Sequence, residues 1–167
     1  MKKTISLNEF HMPRWNELPD LDLYLEQIVN FINTTLAPLQ LDYDDNTSNT
    51  ILTKTMINNY VKNNLIQPPV KKLYSKIQIA KLFVICLLKQ VYSMQEIDKL
   101  TKIALNGSSI PEMYNNFCNL FEEALIKAHS KENFIDKIND SEKIYLVKAA
   151  LLPCAYKMYM KYTLKNL

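Results

Sequence analysis

Apolar positions recur along this chain at spacings of three and four residues, the period of an amphipathic helix, in six runs separated by serine, asparagine and proline signals. The first run sets Leu21, Tyr24, Leu25, Ile28, Val29 and Ile32 on one stripe behind Asp20 as N-cap, predicting a helix over 21–36 that Pro38 ends. Thr53 is the expected N-cap of a second helix over 54–64. At 100° per residue, Met56, Ile57, Tyr60 and Val61 share one side of that helix. Lys54, Thr55, Asn58, Asn59, Lys62 and Asn63 share the other. Asn64 stands where a left-handed C′ residue belongs, with Leu65 and Ile66 as an apolar clasp.

Two capping boxes follow, Ser75 to Gln78 and Ser93 to Glu96. The first opens a helix over 76–91 that is apolar nearly all round between Leu82 and Leu88, which makes it central. The second opens a helix over 94–105, closed by Asn106-Gly107. Pro111 starts a fifth helix, in which Met113, Tyr114, Phe117, Leu120, Phe121, Ala124, Leu125 and Ala128 keep the same spacing. Beyond a polar stretch over 129–140, Ser141 opens the last helix, 142–165, which Pro153 is expected to kink or split. This helix is apolar over more than half its circumference, more than the surface helix of a monomer needs, and that predicts a further partner for it.

Composition supports an all-α chain with at most a minimal β wing. At 167 residues it is one ordinary domain's length, and Gly107 is its only glycine. No glycine-rich phosphate loop, dinucleotide fingerprint or nucleophile elbow fits that scarcity. Cys86, Cys118 and Cys154 are too widely spaced for a metal site or a disulfide framework and read as buried thiols of a reducing compartment. The N-terminus lacks an apolar signal core and the longest apolar run is short, so a soluble, cytoplasmic protein without membrane contact is expected. His11 and His129 have no ligand-spaced neighbours, and Asp42, Asp44 and Asp45 do not match a calcium loop. No cofactor, metal or enzymatic activity is expected.

Charge changes the picture. Residues 16–52 hold seven acids and no Lys or Arg, whereas 53–105 hold nine lysines against Glu96 and Asp98. The basic block predicts a face built for a polyanion, with the acidic segment kept off it. Within that block the second helix, an excursion carrying Pro68-Pro69 and Lys71-Lys72, the third helix and a short turn into the fourth have the layout of a helix-turn-helix with a small wing. Asn can bond adenine in the major groove, and Lys can meet guanine or phosphate.

The stretch MINNYVKNNLIQPPVKKLYSKIQIAKL resembles the DNA-binding half of MerR-type regulators, in the order of recognition helix, proline-bearing wing, Tyr-Ser turn and following helix. MPRWNELPDLDLYLEQ and TKTMINNYVKNNLI resemble the bacterial family known as domain of unknown function number 1836. The MerR resemblance spans about 53–105 and implies that Lys54, Asn58, Asn59 and Lys62 lie on the recognition helix, with Lys71, Lys72 and Tyr74 in the wing and its base. Thr55 joins them from the exposed side of that helix. About sixteen residues part the first helix from the second, so either the turn of the motif is expanded or a short helical turn within 44–52 substitutes.

The expectation is a DNA-binding transcriptional regulator of double-stranded DNA. Residues 1–105 would carry an N-terminal helix and the MerR-like winged helix-turn-helix, and 106–167 a helical region that forms a homodimer or holds a small-molecule effector. A protein-interaction module of the same fold, with no DNA binding, is the alternative.

Overall fold

The computed structural model describes residues 7–39, 50–135 and 139–166. Among them are six α-helices, α1 Leu25–Leu36, α2 Lys54–Lys62, α3 Lys76–Leu88, α4 Met94–Leu105, α5 Ile110–Ser130 and α6 Glu142–Lys165. A two-stranded antiparallel sheet, β1 Leu23–Tyr24 and β2 Leu73–Tyr74, and three single turns of 3-10 helix complete the described elements. The chain is mostly helical, as its apolar periodicity predicts. No described helix is long and apolar enough to cross a membrane.

The core is laid around α3, where every residue from Gln78 to Leu88 except Lys81 is buried. Its all-round apolar surface leaves no face for water, so α1, α5 and α6 must cover it. α1 turns Ile28, Ile32 and Leu36 inward, and Phe31 meets the edge of Phe83 at 5.7 Å between ring centroids. Ser109, outside its helix as N-cap, begins α5 with a capping box to Glu112, and Tyr114, Phe117, Cys118 and Phe121 follow on the buried stripe. All three cysteines are free and buried, and burial pushes each thiol up to about 12.

The proline-punctuated lead, residues 7–18, straps across α5. Phe10 sets its ring edge-on to Phe121, and the Tyr114 hydroxyl donates to the Pro13 carbonyl at 2.9 Å. Arg14 forms a two-pronged pair with Glu122 at 2.7 and 2.6 Å, and the Met12 N–H donates to the same carboxylate at 2.7 Å. This ties the region before β1 to a helix a hundred residues later.

Two expectations are corrected. Asp20 does not cap α1, because Leu23 and Tyr24 are drawn into β1, Leu23 opposite Tyr74 and Tyr24 opposite Leu73. The helix therefore starts at Leu25, with the Gln27 side chain accepting the Tyr24 N–H at 2.9 Å, and Asp20 pairs instead with Lys76. Of the two outcomes expected at Pro153, a kink or a split, the split does not occur, and the last helix runs unbroken from Glu142 to Lys165. Pro153 is exposed, so water can meet the Ala149 carbonyl that it leaves without a helical donor. The Tyr92 hydroxyl reaches the next carbonyl, that of Ala150, at 2.8 Å. The expectations placed on 40–49, including Asp42, Asp44 and Asp45 and most of the helical turn within 44–52, lie outside the described residues.

Candidate functional site

The outward face of α2 is set from within the helix. The Thr53 hydroxyl accepts the Met56 N–H at 3.1 Å and starts α2. Ile57 and Tyr60 are buried, so Lys54, Thr55, Asn58, Asn59 and Lys62 are all left exposed. Asn64 takes φ +58°, the left-handed stop its position predicts. The N–H groups of Leu65 and Ile66 return to the Tyr60 carbonyl at 2.9 and 3.4 Å.

Past Pro68 and Pro69 the chain makes a two-residue hairpin. Val70 and Leu73 exchange backbone hydrogen bonds of 3.0 and 2.9 Å, and Lys71 and Lys72 between them have φ of 50° and 66°. Positive φ at both central residues is the type I′ pattern, which Asn-Gly adopts most cheaply. A residue with a Cβ pays roughly 1–2 kcal/mol there. Both lysines are exposed and without a side-chain partner among the described residues.

Gln78 fixes this hairpin. Its side-chain oxygen accepts the Ser75 N–H at 2.7 Å to open α3, while its amide nitrogen donates to the carbonyls of Gln67 and Pro68 at 2.8 and 3.2 Å. A single buried amide thus joins the start of α3 to the first arm of the hairpin. On the other side of α2, the Asn33 oxygen accepts from the N–H groups of Ile51 and Leu52, both at 2.9 Å. Despite the long insertion between them, α1 and α2 are braced together.

With these braces in place, Lys54, Asn58, Pro69 and Lys72 border one open cleft, whose wall is completed by Tyr24 to Gln27 and Tyr74. Thr55, Asn59, Lys62 and Lys71 lie on the exposed surface outside that lining. Asn58 and Lys62 have no side-chain partner among the described residues, whereas Asn59 receives a 2.9 Å hydrogen bond from Asn63. Tyr74 differs from the expectation of a projecting contact. It is only 3% exposed, and burial raises its phenol above the ordinary range. It forms floor, held down by its pairing with Leu23.

The charge pattern is also corrected. The acidic segment does share this face, since Glu26 of α1 forms an ion pair with Lys54 and lines the same cleft. The hydrogen bond from Lys54, then its charge, holds the Glu26 carboxyl below the usual range. Sequence reasoning missed Glu26 and Asn33, for which no local signal exists, and saw Gln78 only as a capping residue. His11 and His129 sit apart: His11 pairs with Glu17 at 2.9 Å, and His129 lies edge-on to Tyr159 and Tyr162.

Residues 13–117, from the strap into the first turns of α5, match the family model described as Domain of unknown function (DUF1836). No curated protein and no solved structure matches the chain. The matched span contains the cleft, the hairpin and both of their braces, and it ends before α6.

Proposed function

We propose that this chain, which belongs to the DUF1836 family, is a DNA-binding transcriptional regulator, with α2 as a MerR-like recognition helix in the major groove and the Lys71–Lys72 hairpin as its wing. The observation that carries this reading is the hairpin tip. Two consecutive lysines, exposed and unpaired among the described residues, occupy backbone positions that would cost less with Asn and Gly, beside a helix face of Lys, Thr and Asn. Backbone strain of this kind persists where the surrounding structure holds it and gathers at functional sites. In this reading Lys62, Lys71 and Lys72 meet phosphates, which set position and affinity, and Asn58 presents its amide to a base edge. Thr55 and Asn59 flank it, Lys54 joins once released from Glu26, and Tyr74 supports the wing from beneath.

The regulator acts as a homodimer, which would present two recognition helices to successive major grooves. Tyr145, Tyr156, Met160 and Leu164 are exposed along α6, and we assign the seam to this apolar stripe. Light scattering on Tyr156→Glu with Met160→Glu should then give a monomer.

The deciding experiment is binding to a random-sequence duplex, followed by fluorescence anisotropy across a salt series. Affinity should fall with salt by about 0.9 log units per log unit for each phosphate contacted. Lys62→Ala, Lys71→Ala and Lys72→Ala should each lower that slope by about one. Absence of any salt-dependent duplex binding by the unaltered chain at low salt would sink the proposal. A second reading, a protein-interaction module, is favoured by the Glu26–Lys54 pair and by the exposed Tyr24 and Val70 beside the hairpin. It predicts no DNA retardation and an acidic protein recovered on the same face.

A further inference from the structure

A second cavity, of about 210 Å³, opens between the C-terminal exit of α2, α3, α4 and the start of α5. Its lining is of two kinds. Ala80, Val84, Ile85 and Ile97 are buried and apolar, with the Tyr114 ring behind them. Tyr114 spends its hydroxyl on Pro13, so it offers the cavity a ring face and not a donor.

The charged lining residues are Lys81, Asp98 and Lys102, two cations and one anion, for a net charge of +1. Asp98 and Lys102 satisfy one another at 2.6 Å. Lys81 is left over. It is the one residue between Gln78 and Leu88 that is not buried, it is half-buried, and it has no partner among the described residues. An ammonium with no counter-ion beside an apolar recess is complementary to one negative charge joined to an apolar body. A net charge of +1 suits a monoanion over a phosphate dianion. At about 210 Å³ the recess is smaller than a drug-sized pocket, which limits the guest to a small molecule.

We propose that this cavity is a binding site for a small organic carboxylate, with Lys81 as the charge partner and the α3–α4–α5 recess holding its short apolar chain. The site is independent of the DNA reading and is tested without DNA. Thr101 and Leu105 of α4 also line it, and Asn64, Leu65 and Gln67 form part of its wall, so the site borders the segment that seats α2 and the hairpin.

The experiment is a titration of the full chain with hexanoate, followed by amide chemical shifts, with 1-hexanol as the neutral control. Hexanoate should bind roughly fivefold to tenfold more tightly than hexanol, the contribution of one charge-assisted contact. Its shifts should gather at Lys81, Thr101 and Leu105. Lys81→Gln should bring the two probes to equal affinity while leaving hexanol binding unchanged, and the spectrum itself reports whether the variant is folded. Equal affinity of the two probes for the unaltered chain would overturn the proposal. So would shifts gathered elsewhere, such as the α6 stripe, or no saturable shift with either probe.

Discussion

Asn33 and Leu52 exchange two hydrogen bonds: the Leu52 N–H donates to the Asn33 side-chain oxygen at 2.9 Å, and the Asn33 amide donates back to the Leu52 carbonyl at 2.8 Å. Both ends of one side chain are thereby committed to the backbone just before α2, and Leu52 is fully buried. Asn33→Ala would leave two N–H groups and a carbonyl unsatisfied around a buried turn. Each such group costs about 1–3 kcal/mol when fully buried, and less here because all three hydrogen bonds are only part-buried. Chemical denaturation should show a loss of about 2–4 kcal/mol, with the duplex or partner affinity of the outward α2 face reduced along with it.

The hairpin tip separates stability from function. Lys71→Asn with Lys72→Gly places the favoured pair on a type I′ turn. Stability should rise by about 1–2 kcal/mol, because no side-chain partner among the described residues is lost and the backbone cost is removed. Duplex affinity should drop at the same time, by the two cations removed. Denaturation midpoints and anisotropy on the same sample check both halves, and unchanged DNA binding would remove the hairpin from the interface.

Glu26 offers a test by gain. It neutralises Lys54 at the edge of the cleft, yet the carboxyl is highly exposed, so the pair itself contributes little to stability. Glu26→Gln should leave the denaturation midpoint nearly unchanged. Low-salt duplex affinity should rise severalfold, as one repulsive charge goes and one lysine is released. A fall in affinity would show that Glu26 takes part in recognition.

Acid should loosen the strap. Burial alone pushes the Glu122 carboxyl up, but the hydrogen bonds from Arg14 and the Met12 N–H, with the guanidinium charge, outweigh it and hold the group below its ordinary value. A folded value below the unfolded one, which lies near 4.3, means that the stabilisation is complete above that pH. It is lost as pH falls through the folded value. Glu122→Gln should cost about 1–2 kcal/mol at neutral pH and should flatten the decline of stability below about pH 4. Parallel acid curves for the two proteins would mean that other carboxylates dominate.

Much of this architecture was legible locally. Thr53, Ser75, Ser93 and Ser141 start the helices they were expected to start, Asn64 adopts the left-handed stop, and the stripe from Tyr114 to Ala128 is buried except at half-buried Leu120. Each of these depends on residues within about four positions, where helical period and capping chemistry act. The outward set on α2 follows from the same period. Apart from the split expected at Pro153, the misreadings involve partners far apart in the chain: β1 taking Leu23 and Tyr24 from α1, Tyr74 sinking into the floor, and Glu26 reaching Lys54.

The amino-acid sequence by itself therefore determined the helices, their buried stripes and the concentration of lysines between α2 and α4. Tertiary structure alone decided which of those lysines stay unpaired. Chain folding brings Asp20 to Lys76 and Glu26 to Lys54, while Lys62, Lys71 and Lys72 meet no acid among the described residues. The reason is physical: a side chain's rotamer and helical face are set by its neighbours, but its counter-ion is set by loop closure and packing, which no local spacing encodes.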